Sequence, residues 1–212
     1  MRHWEEIRFM KLYDGGKAPN PRRVSIFLAE KGVEIERVPV DMGALGHKSD
    51  AFSKLNPLQR LPVLELDDGT VLTESVAICR YIETLHPEPN LFGHRGLEEA
   101  QVEMWNRRVE LHFLNSVAAV FRHLHPAMKD WEVPQVKEWG EANRPRVTEF
   151  LALLDGELAH RDFIAGDRFT IADISAMVSV GFMKPAKIDM PEHLAHLRAW
   201  HERVSARPSA RA

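Results

Sequence analysis

Cysteine is almost absent from this 212-residue sequence, in which Cys79 is the only one. A single thiol excludes intrachain disulfides and cysteine-rich metal sites, and it suits a reducing compartment. No apolar run approaches the roughly 18 residues that a membrane-spanning helix needs. The first residues, Met1-Arg-His-Trp-Glu-Glu, are polar and lack the apolar stretch of a secretory signal. We therefore expect a cytoplasmic protein with no membrane partner.

A strong charge of one sign is also missing, because the net charge is only −3. Lysine and arginine are scattered among aspartate and glutamate, which argues against a nucleic-acid partner. The histidines do not form a metal-binding pattern. His123 and His125 are two residues apart and would point to different faces of a helix, and His193 and His196 have no evident third ligand. We predict no metal ion.

The first ninety residues change period repeatedly between strand and helix. Asn20 followed by Pro21 is typical of a helix start, with Asn20 at the N-cap, and Gly32 is typical of the end of that helix. Asp67-Asp68-Gly69 predicts a hairpin turn. The pattern predicts a mixed four-stranded sheet with helices, built from strands Ile7–Tyr13, Val33–Val40, Leu61–Leu66 and Thr70–Thr73 and a helix from Glu74 to Leu85. Pro39 favours an edge position for the second strand.

The rest of the chain predicts helices only. Residues 87–96 are rich in proline and glycine and are interpreted as a linker between domains 1–86 and 97–212. Pro145 should kink or break one of the long helices. The predicted fold class is an α/β domain followed by an all-helical domain, with helices at Leu97–Leu124, Val133–Leu158, Thr170–Val180 and His193–Val204.

Glu74 and Ser75 stand at a predicted helix start, where two interpretations are open. A hydroxyl and free backbone N–H groups at a helix N-terminus suit a bound carboxylate, and a neighbouring acidic side chain suits an ammonium group. The alternative is that both residues only cap the helix.

Further along, Thr170 and Asp173 have the spacing of a capping box, which is structural. Cys79 lies on an apolar helical stripe and should be a buried, inert thiol.

Three segments together resemble the cytosolic glutathione transferases, and the resemblance extends from about Ile7 to Ser209. They are Asn56-Pro-Leu-Gln-Arg-Leu-Pro-Val-Leu, Thr73-Glu-Ser-Val-Ala-Ile and Gly166-Asp-Arg-Phe-Thr-Ile-Ala-Asp. The resemblance implies a thioredoxin-like first domain and a homodimer. It also implies that Pro62 is cis, that Leu61 binds the glutathione backbone, that Glu74 and Ser75 bind its γ-glutamyl end, and that His47 contacts its glycyl end. For His47, a solvated loop histidine is an equal alternative.

The residue that activates the glutathione thiol is left open by the resemblance. Ala18 occupies the position where a serine stands in Ser-type members, so the sequence departs from the Ser and Cys patterns. Asn20 matches an asparagine of bacterial nu-class relatives, and Tyr13 matches the position of the Tyr classes. The overall pattern is nu-class-like or theta/delta-like. We place Asn20 before Tyr13, with pure helix capping as the alternative for Asn20.

The function that the resemblance implies is a glutathione transferase that attacks an electrophilic, mostly apolar second substrate. Glutathione is then a co-substrate, and detoxification is the expected role. Two alternatives are a glutathione-dependent disulfide or peroxide reductase and a non-catalytic interaction module, since one fold serves many functions.

Overall fold

The computed structural model describes residues 10–212, so residues 7–9 of the first predicted strand lie outside the described part. The chain forms two compact units. Among the described residues, one unit comprises 10–90 with Arg211–Ala212, and the other comprises Leu91–Ala210.

The first unit contains a four-stranded sheet in the order β2-β1-β3-β4. Strands β1 and β2 are parallel and are connected through helix α1, whereas β3 is antiparallel to both β1 and β4. This is the predicted mixed sheet, and Pro39 does lie in an edge strand. The elements are β1 (Lys11–Asp14), α1 (Pro19–Lys31), β2 (Glu36–Pro39), α2 (Asp50–Leu55), β3 (Val63–Glu65), β4 (Val71–Thr73) and α3 (Ser75–Leu85).

Glycine ends and turns the chain where the sequence predicts it. Gly32 adopts a left-handed conformation with φ of 63° and ends α1, and Gly69 has φ of 82° in the hairpin between β3 and β4. Both conformations strain any residue with a Cβ atom. The buried core of this unit is formed by side chains from the sheet, α1 and α3, including Leu12, Ile26, Phe27, Val63, Leu64, Ile78 and Ile82.

The second unit is helical, as predicted. Within its described residues the only strand-like pairing is an isolated bridge between Phe163 and Gly166. A six-residue π-helix, Val109–Leu114, joins its first two α-helices into one run. The α-helices are α4 (Leu97–Arg108), α5 (Asn115–Leu124), α6 (Lys137–Leu158), α7 (Ile171–Met183) and α8 (Ala195–Ser205).

Two expectations about α6 need correction or refinement. The helix begins at Lys137 and not at Val133. Pro145 lies inside the helix and does not break it. Pro145 is exposed, so the carbonyl group that loses its helical N–H partner can be hydrated. None of the described helices has the length and apolar character required to cross a membrane.

The core of the helical unit contains the predicted capping box. Thr170 and Asp173 exchange side-chain and backbone hydrogen bonds at the start of α7. Asp173 is fully buried and also accepts from the backbone N–H of Ile164 and from Nε1 of Trp200, each at 2.9 Å. Apolar side chains of the same unit are buried as well, among them Trp105, Phe113 and Val117.

Candidate functional site

The register of the sheet brings three connecting segments together at the same ends of strands β1, β3 and β4. Tyr13, near the end of β1, pairs with Val63 at the start of β3, and Val63 pairs with Thr73 at the end of β4. The loop after β1, the loop before β3 and the turn after β4 therefore begin in one row across the sheet. The Leu61-Pro62 pair lies in the second of these segments, and the other two lead directly into helices at Asn20 of α1 and at Glu74-Ser75 of α3.

The loop before β3 is fixed by a buried asparagine. The Leu61–Pro62 peptide bond is cis, as predicted. Asn56 donates through Nδ2 to the carbonyl oxygen of Arg60 at 2.8 Å and accepts from the N–H of Leu58 at 3.0 Å. Sequence reasoning did not assign this role to Asn56, although an asparagine before a proline is a turn signal.

The loop after β1 approaches the cis-proline loop closely. A Cβ atom added to Gly15 would lie 3.0 Å from Cδ1 of Leu61 and 2.8 Å from Sδ of Met42. Both distances are at or below the closest approach of real Cβ atoms. Gly15 therefore lets the first loop pack directly against Leu61, which keeps the two loops of the candidate site together.

Glu74 and Ser75 do not cap α3 with their side chains, so the pure capping interpretation is wrong. Glu74 is the N-cap residue, is exposed and makes no side-chain cap bond. Its backbone has φ of 66° and ψ of 114°, a conformation that an L-residue rarely adopts. Such strain is found at binding sites more often than elsewhere. Ser75 is 5% exposed and is the first residue of the helix.

A fully buried arginine, Arg23 of α1, connects two of the predicted site residues. Its Nη1 donates to Oγ of Ser75 at 2.6 Å and to Oδ1 of Asn20 at 3.0 Å. Sequence reasoning missed Arg23. The available signal was its position, since Arg23 falls beside Val24 and four residues before Phe27 on the apolar stripe of the helix, where a charged residue needs a reason.

The prediction that Asn20 is the N-cap of α1 is wrong. The helix begins at Pro19 with Ala18 as its N-cap, and no side chain caps it. Asn20 is the second helical residue, and its amide oxygen binds Arg23 instead of a helix N–H. Since Pro19 and Pro21 carry no N–H, Asn20 supplies the only backbone donor among the first three helical residues. The sequence predicts Asn20 as the N-cap and Pro21 as the first helical residue. In the structure Ala18 is the N-cap and Pro19 is the first helical residue.

The hydroxyl group of Tyr13 is engaged with another strand. It donates to Oε2 of Glu65 at 2.8 Å, and its ring makes an edge contact with Phe52 at a centroid distance of 6.3 Å. The hydrogen bond to Glu65, with burial and the negative charge of Glu65 acting in the same direction, raises the pKa of Tyr13. In this geometry the phenol proton is committed to a carboxylate.

His47 is not a solvated loop residue, and that alternative is wrong. It lies in a short 3₁₀ turn, Gly46–Lys48, and is 2% exposed. Burial lowers the pKa of His47, and the positive charges of Lys48 and Arg60 lower it further. The imidazole is therefore held in its neutral form at neutral pH, beside two cationic side chains.

Cys79 is buried inside α3, as predicted, and burial raises the pKa of its thiol. It is thus a protonated, inert group. Among residues 10–212 no group of three or more His, Cys, Asp or Glu side chains could hold a metal ion.

The helical unit contains an open cavity of about 420 Å³ with mixed polar and apolar walls, lined by Leu111, His112, Ser116, Arg146, Glu149, Phe150 and Leu153.

Comparison with known proteins identifies the family. Residues 9–84 match the family described as "Glutathione S-transferase, N-terminal domain", and residues 111–208 match "Glutathione S-transferase, C-terminal domain". Glutathione S-transferase 2 of Saccharomyces cerevisiae is 37% identical over 205 residues, which are 95% of this chain and 88% of that protein.

Solved structures agree. A glutathione S-transferase domain-containing protein of Marinobacter aquaeolei has a TM-score of 0.91 and 42% identity, covering 94% of this chain and 98% of that one. A glutathione S-transferase of class Gtt2 from Vibrio parahaemolyticus has a TM-score of 0.83 and 39% identity, covering 94% of each chain. This chain belongs to the glutathione S-transferase family. The predicted fold class and the predicted enzyme class are confirmed, and the reductase and interaction-module alternatives are not favoured.

Proposed function

We propose that the site formed by Asn20, Leu61 and Ser75 binds glutathione and activates its thiol for attack on an apolar electrophile. The observation that carries the proposal is the start of α3. There Ser75 offers a hydroxyl and the helix offers uncapped N–H groups, with Glu74 held beside them in a strained conformation. An uncapped helix N-terminus favours an anion.

Each part of glutathione has a chemically matched partner in this proposal. The γ-glutamyl carboxylate binds Ser75 and the N-terminus of α3, and the ammonium group binds the carboxylate of Glu74. The cysteinyl backbone binds the backbone of Leu61, beside cis-Pro62. The glycyl end lies towards His47, where Lys48 and Arg60 add positive charge.

Asn20 is our choice for the residue that stabilises the thiolate. A free thiol has a pKa near 8.5 and is mostly protonated at neutral pH, so the site has to favour the anion. Because Arg23 holds the amide oxygen of Asn20, the Nδ2 group faces away from Arg23 and is available as a donor. Tyr13 is the second choice, since its hydroxyl already donates to Glu65.

The chemical step follows from this arrangement. The thiol proton leaves to solvent, and the amide of Asn20, its backbone N–H and the α1 dipole stabilise the resulting thiolate. The thiolate then forms a carbon–sulfur bond with the electrophile. The electron pair of the broken bond leaves with the departing group or, in an addition, is protonated on carbon.

The proposal includes the setting of the enzyme. We infer a cytoplasmic homodimer with a role in detoxification, no metal cofactor, and domains 1–86 and 97–212 joined by a linker at 87–96. Closed two-fold dimers are the most common oligomers. Sedimentation at micromolar concentration should give a species of twice 24.3 kDa, and a purely monomeric boundary would rule the dimer out.

Calorimetric titration with glutathione tests the binding site. Ser75→Ala should weaken binding by about 1–3 kcal/mol, because it removes a hydrogen bond to a charged group. The matched control is Ser25→Ala. Ser25 is likewise a buried serine that accepts from an arginine, Nη1 of Arg37 at 2.6 Å, but it lies in the middle of α1. Equal effects of the two variants on affinity would contradict the proposed site.

A further inference from the structure

One side-chain nitrogen connects the starts of two helices in the first unit. Nη1 of Arg23 donates to Asn20, the second residue of α1, and to Ser75, the first residue of α3. Arg23 is 0% exposed and its bond to Ser75 is buried, whereas the bond to Asn20 is partly buried because Asn20 reaches the surface. In the proposed function these two partners serve different groups of the bound molecule, the sulfur of its central cysteine and the γ-glutamyl carboxylate.

The chemistry of the guanidinium decides the orientation of both partners. An arginine side chain has five N–H donors and no acceptor. The amide of Asn20 must therefore turn its oxygen towards Arg23 and its NH₂ group away. The hydroxyl of Ser75 must accept from Arg23, which leaves its own O–H free to donate elsewhere. Both partners are thereby left as hydrogen-bond donors, and both ligand groups assigned to them are anions.

We propose that Arg23 is a positioning residue that presets Asn20 and Ser75 as donors and so couples the part of the site that binds the thiolate to the part that binds the γ-glutamyl carboxylate. The inference rests on the proposed function, because it assigns a ligand group to each donor. The buried positive charge adds to the effect, since in a poorly hydrated environment it attracts both anions more strongly than it would in water.

A purely structural role makes a different prediction. The unit contains a second arginine that bridges two side chains, although it is exposed: Nη1 of Arg37 donates to Asp14 at 2.5 Å and to Ser25 at 2.6 Å. Arg37 joins β2 to β1 and α1 without touching a predicted ligand-binding side chain. If Arg23 only ties α1 to α3, its replacement should resemble the replacement of Arg37 in lowering stability alone.

The decisive variant is Arg23→Lys, with Arg37→Lys as its control. Lysine keeps the charge but loses the planar fork that serves two acceptors at once. Two probes separate the two ends of the site. Ultraviolet absorbance of the glutathione thiolate reports its pKa in the complex, and calorimetry with S-methylglutathione, which has no thiol, reports the γ-glutamyl end. We expect Arg23→Lys to raise the bound thiol pKa by about one unit and to weaken S-methylglutathione binding about tenfold.

Coupling is tested by combining variants. In the Arg23→Lys protein, Asn20→Ala should shift the thiol pKa by less than half of its effect in the wild type, and Ser75→Ala should lose affinity to a similarly reduced degree. In the Arg37→Lys protein both effects should be full. Additive effects with Arg23→Lys would overturn the inference while leaving the proposed function intact. Failure of wild-type protein to bind glutathione would overturn both.

A second variant covers the case in which Arg23→Lys does not fold. Asn20→Asp keeps an oxygen for Arg23 and places an acidic residue in the first turn of α1, where it stabilises a helix. It replaces the NH₂ donor by a second oxygen facing the sulfur. We expect the bound thiol pKa to rise further than in Asn20→Ala. An equal rise in the two variants would overturn the orientation assigned to Arg23.

Discussion

The starts of α3 and α7 solve the same problem in opposite ways. Both helices expose backbone N–H groups that need acceptors. In the helical unit, Thr170 and Asp173 supply these acceptors from the chain itself. In the sheet unit, Glu74 makes no side-chain cap bond at the start of α3. A missing side-chain cap alone indicates little, since α6 has none either. At the start of α3 it coincides with a strained N-cap residue and a buried serine hydroxyl, and this combination is the better indicator of a ligand.

The buried charges of the two units differ in the same sense. Asp173 accepts hydrogen bonds from Thr170, Ile164 and Trp200, and these donors belong to its own unit. Arg23 instead donates to two side chains at helix starts in the candidate site, Asn20 of α1 and Ser75 of α3. The carboxylate completes a core, whereas in our proposal the guanidinium orients two side chains towards a bound ligand.

The largest effect is expected for Asp173→Ala. Loss of the cap costs about 0.5–2 kcal/mol, and the buried N–H groups of Ile164 and Trp200 also lose their acceptor, at about 1–3 kcal/mol each. We therefore expect the free energy of unfolding to fall by about 3 kcal/mol or more in urea titrations. Glutathione affinity at low temperature should barely change.

Asp155→Ala is the graded control for this prediction. Asp155 also accepts from a helix N–H, that of Leu197 at 2.9 Å, but it is only partly buried and the bond is single. Its loss should cost about 1 kcal/mol. An Asp173→Ala protein that unfolds normally but no longer binds glutathione would remove the contrast between the two units.

A pH titration of stability sharpens the same point. Burial raises the pKa of Asp173 to about 6 and outweighs the hydrogen bonds that favour its charged form. The folded state then binds a proton more tightly than the unfolded state, so this group stabilises the fold at low pH. That contribution is lost as pH rises from about 4 to 6 and amounts to about 3 kcal/mol.

Asp173→Asn isolates this contribution because it cannot titrate. The difference in unfolding free energy between wild type and Asp173→Asn, measured by urea unfolding at several pH values, should change across the window from about pH 4 to 6 and be flat above it. A difference that stays constant from pH 4 to 7 would mean that the hydrogen bonds outweigh burial.

Glu74→Gly tests the strained start of α3, with a smaller expected effect. Glycine adopts φ of 66° without steric cost, so relief of strain should raise the free energy of unfolding by about 1 kcal/mol. Glutathione affinity should fall, because the carboxylate assigned to the ammonium group is lost. Glu74→Gln, which keeps the strain and removes the charge, should lose affinity without gaining stability in thermal unfolding.

Local sequence signals predicted most of the fold because each is confined to a few residues. Gly32, the Asp67-Asp68-Gly69 turn and the Thr170–Asp173 box act through their own backbone, and the structure has them as predicted. The sequence pattern places the start of α1 two residues too late. Ala18-Pro19 and Asn20-Pro21 are both typical helix starts, and the sequence alone does not decide between them.

The candidate site was predictable in its residues but not in its connections. The residue type of each member, together with its position at a strand end or a helix start, identifies it in the sequence. These members are Asn20, Leu61-Pro62 and Ser75. The bond from Arg23 to Ser75 spans 52 positions in the sequence, and it depends on how α1 packs against α3. No local pattern encodes such a distance, and the same holds for the bond from Tyr13 to Glu65.

The finest distinction is expected from Asn20→Ala and Tyr13→Phe, whose effects on the bound thiol pKa differ. If Asn20 donates to the sulfur, its loss should raise the bound thiol pKa by about one unit, which corresponds to about 1.36 kcal/mol. Stability should change little, because Asn20 is exposed and does not cap α1. Tyr13→Phe should leave the thiol pKa unchanged and cost about 0.5–1.5 kcal/mol of stability through the lost bond to Glu65.

Titration of the thiolate absorbance in both variants decides between the two residues. A rise for Tyr13→Phe with none for Asn20→Ala would reverse the assignment, and it would require the phenol to leave Glu65 when glutathione binds. If neither variant shifts the thiol pKa, the single backbone N–H at the start of α1 and the helix dipole must hold the thiolate. That N–H also belongs to Asn20, because Pro19 and Pro21 have none, so the assignment of the thiolate to the start of α1 would survive the loss of the side-chain contribution.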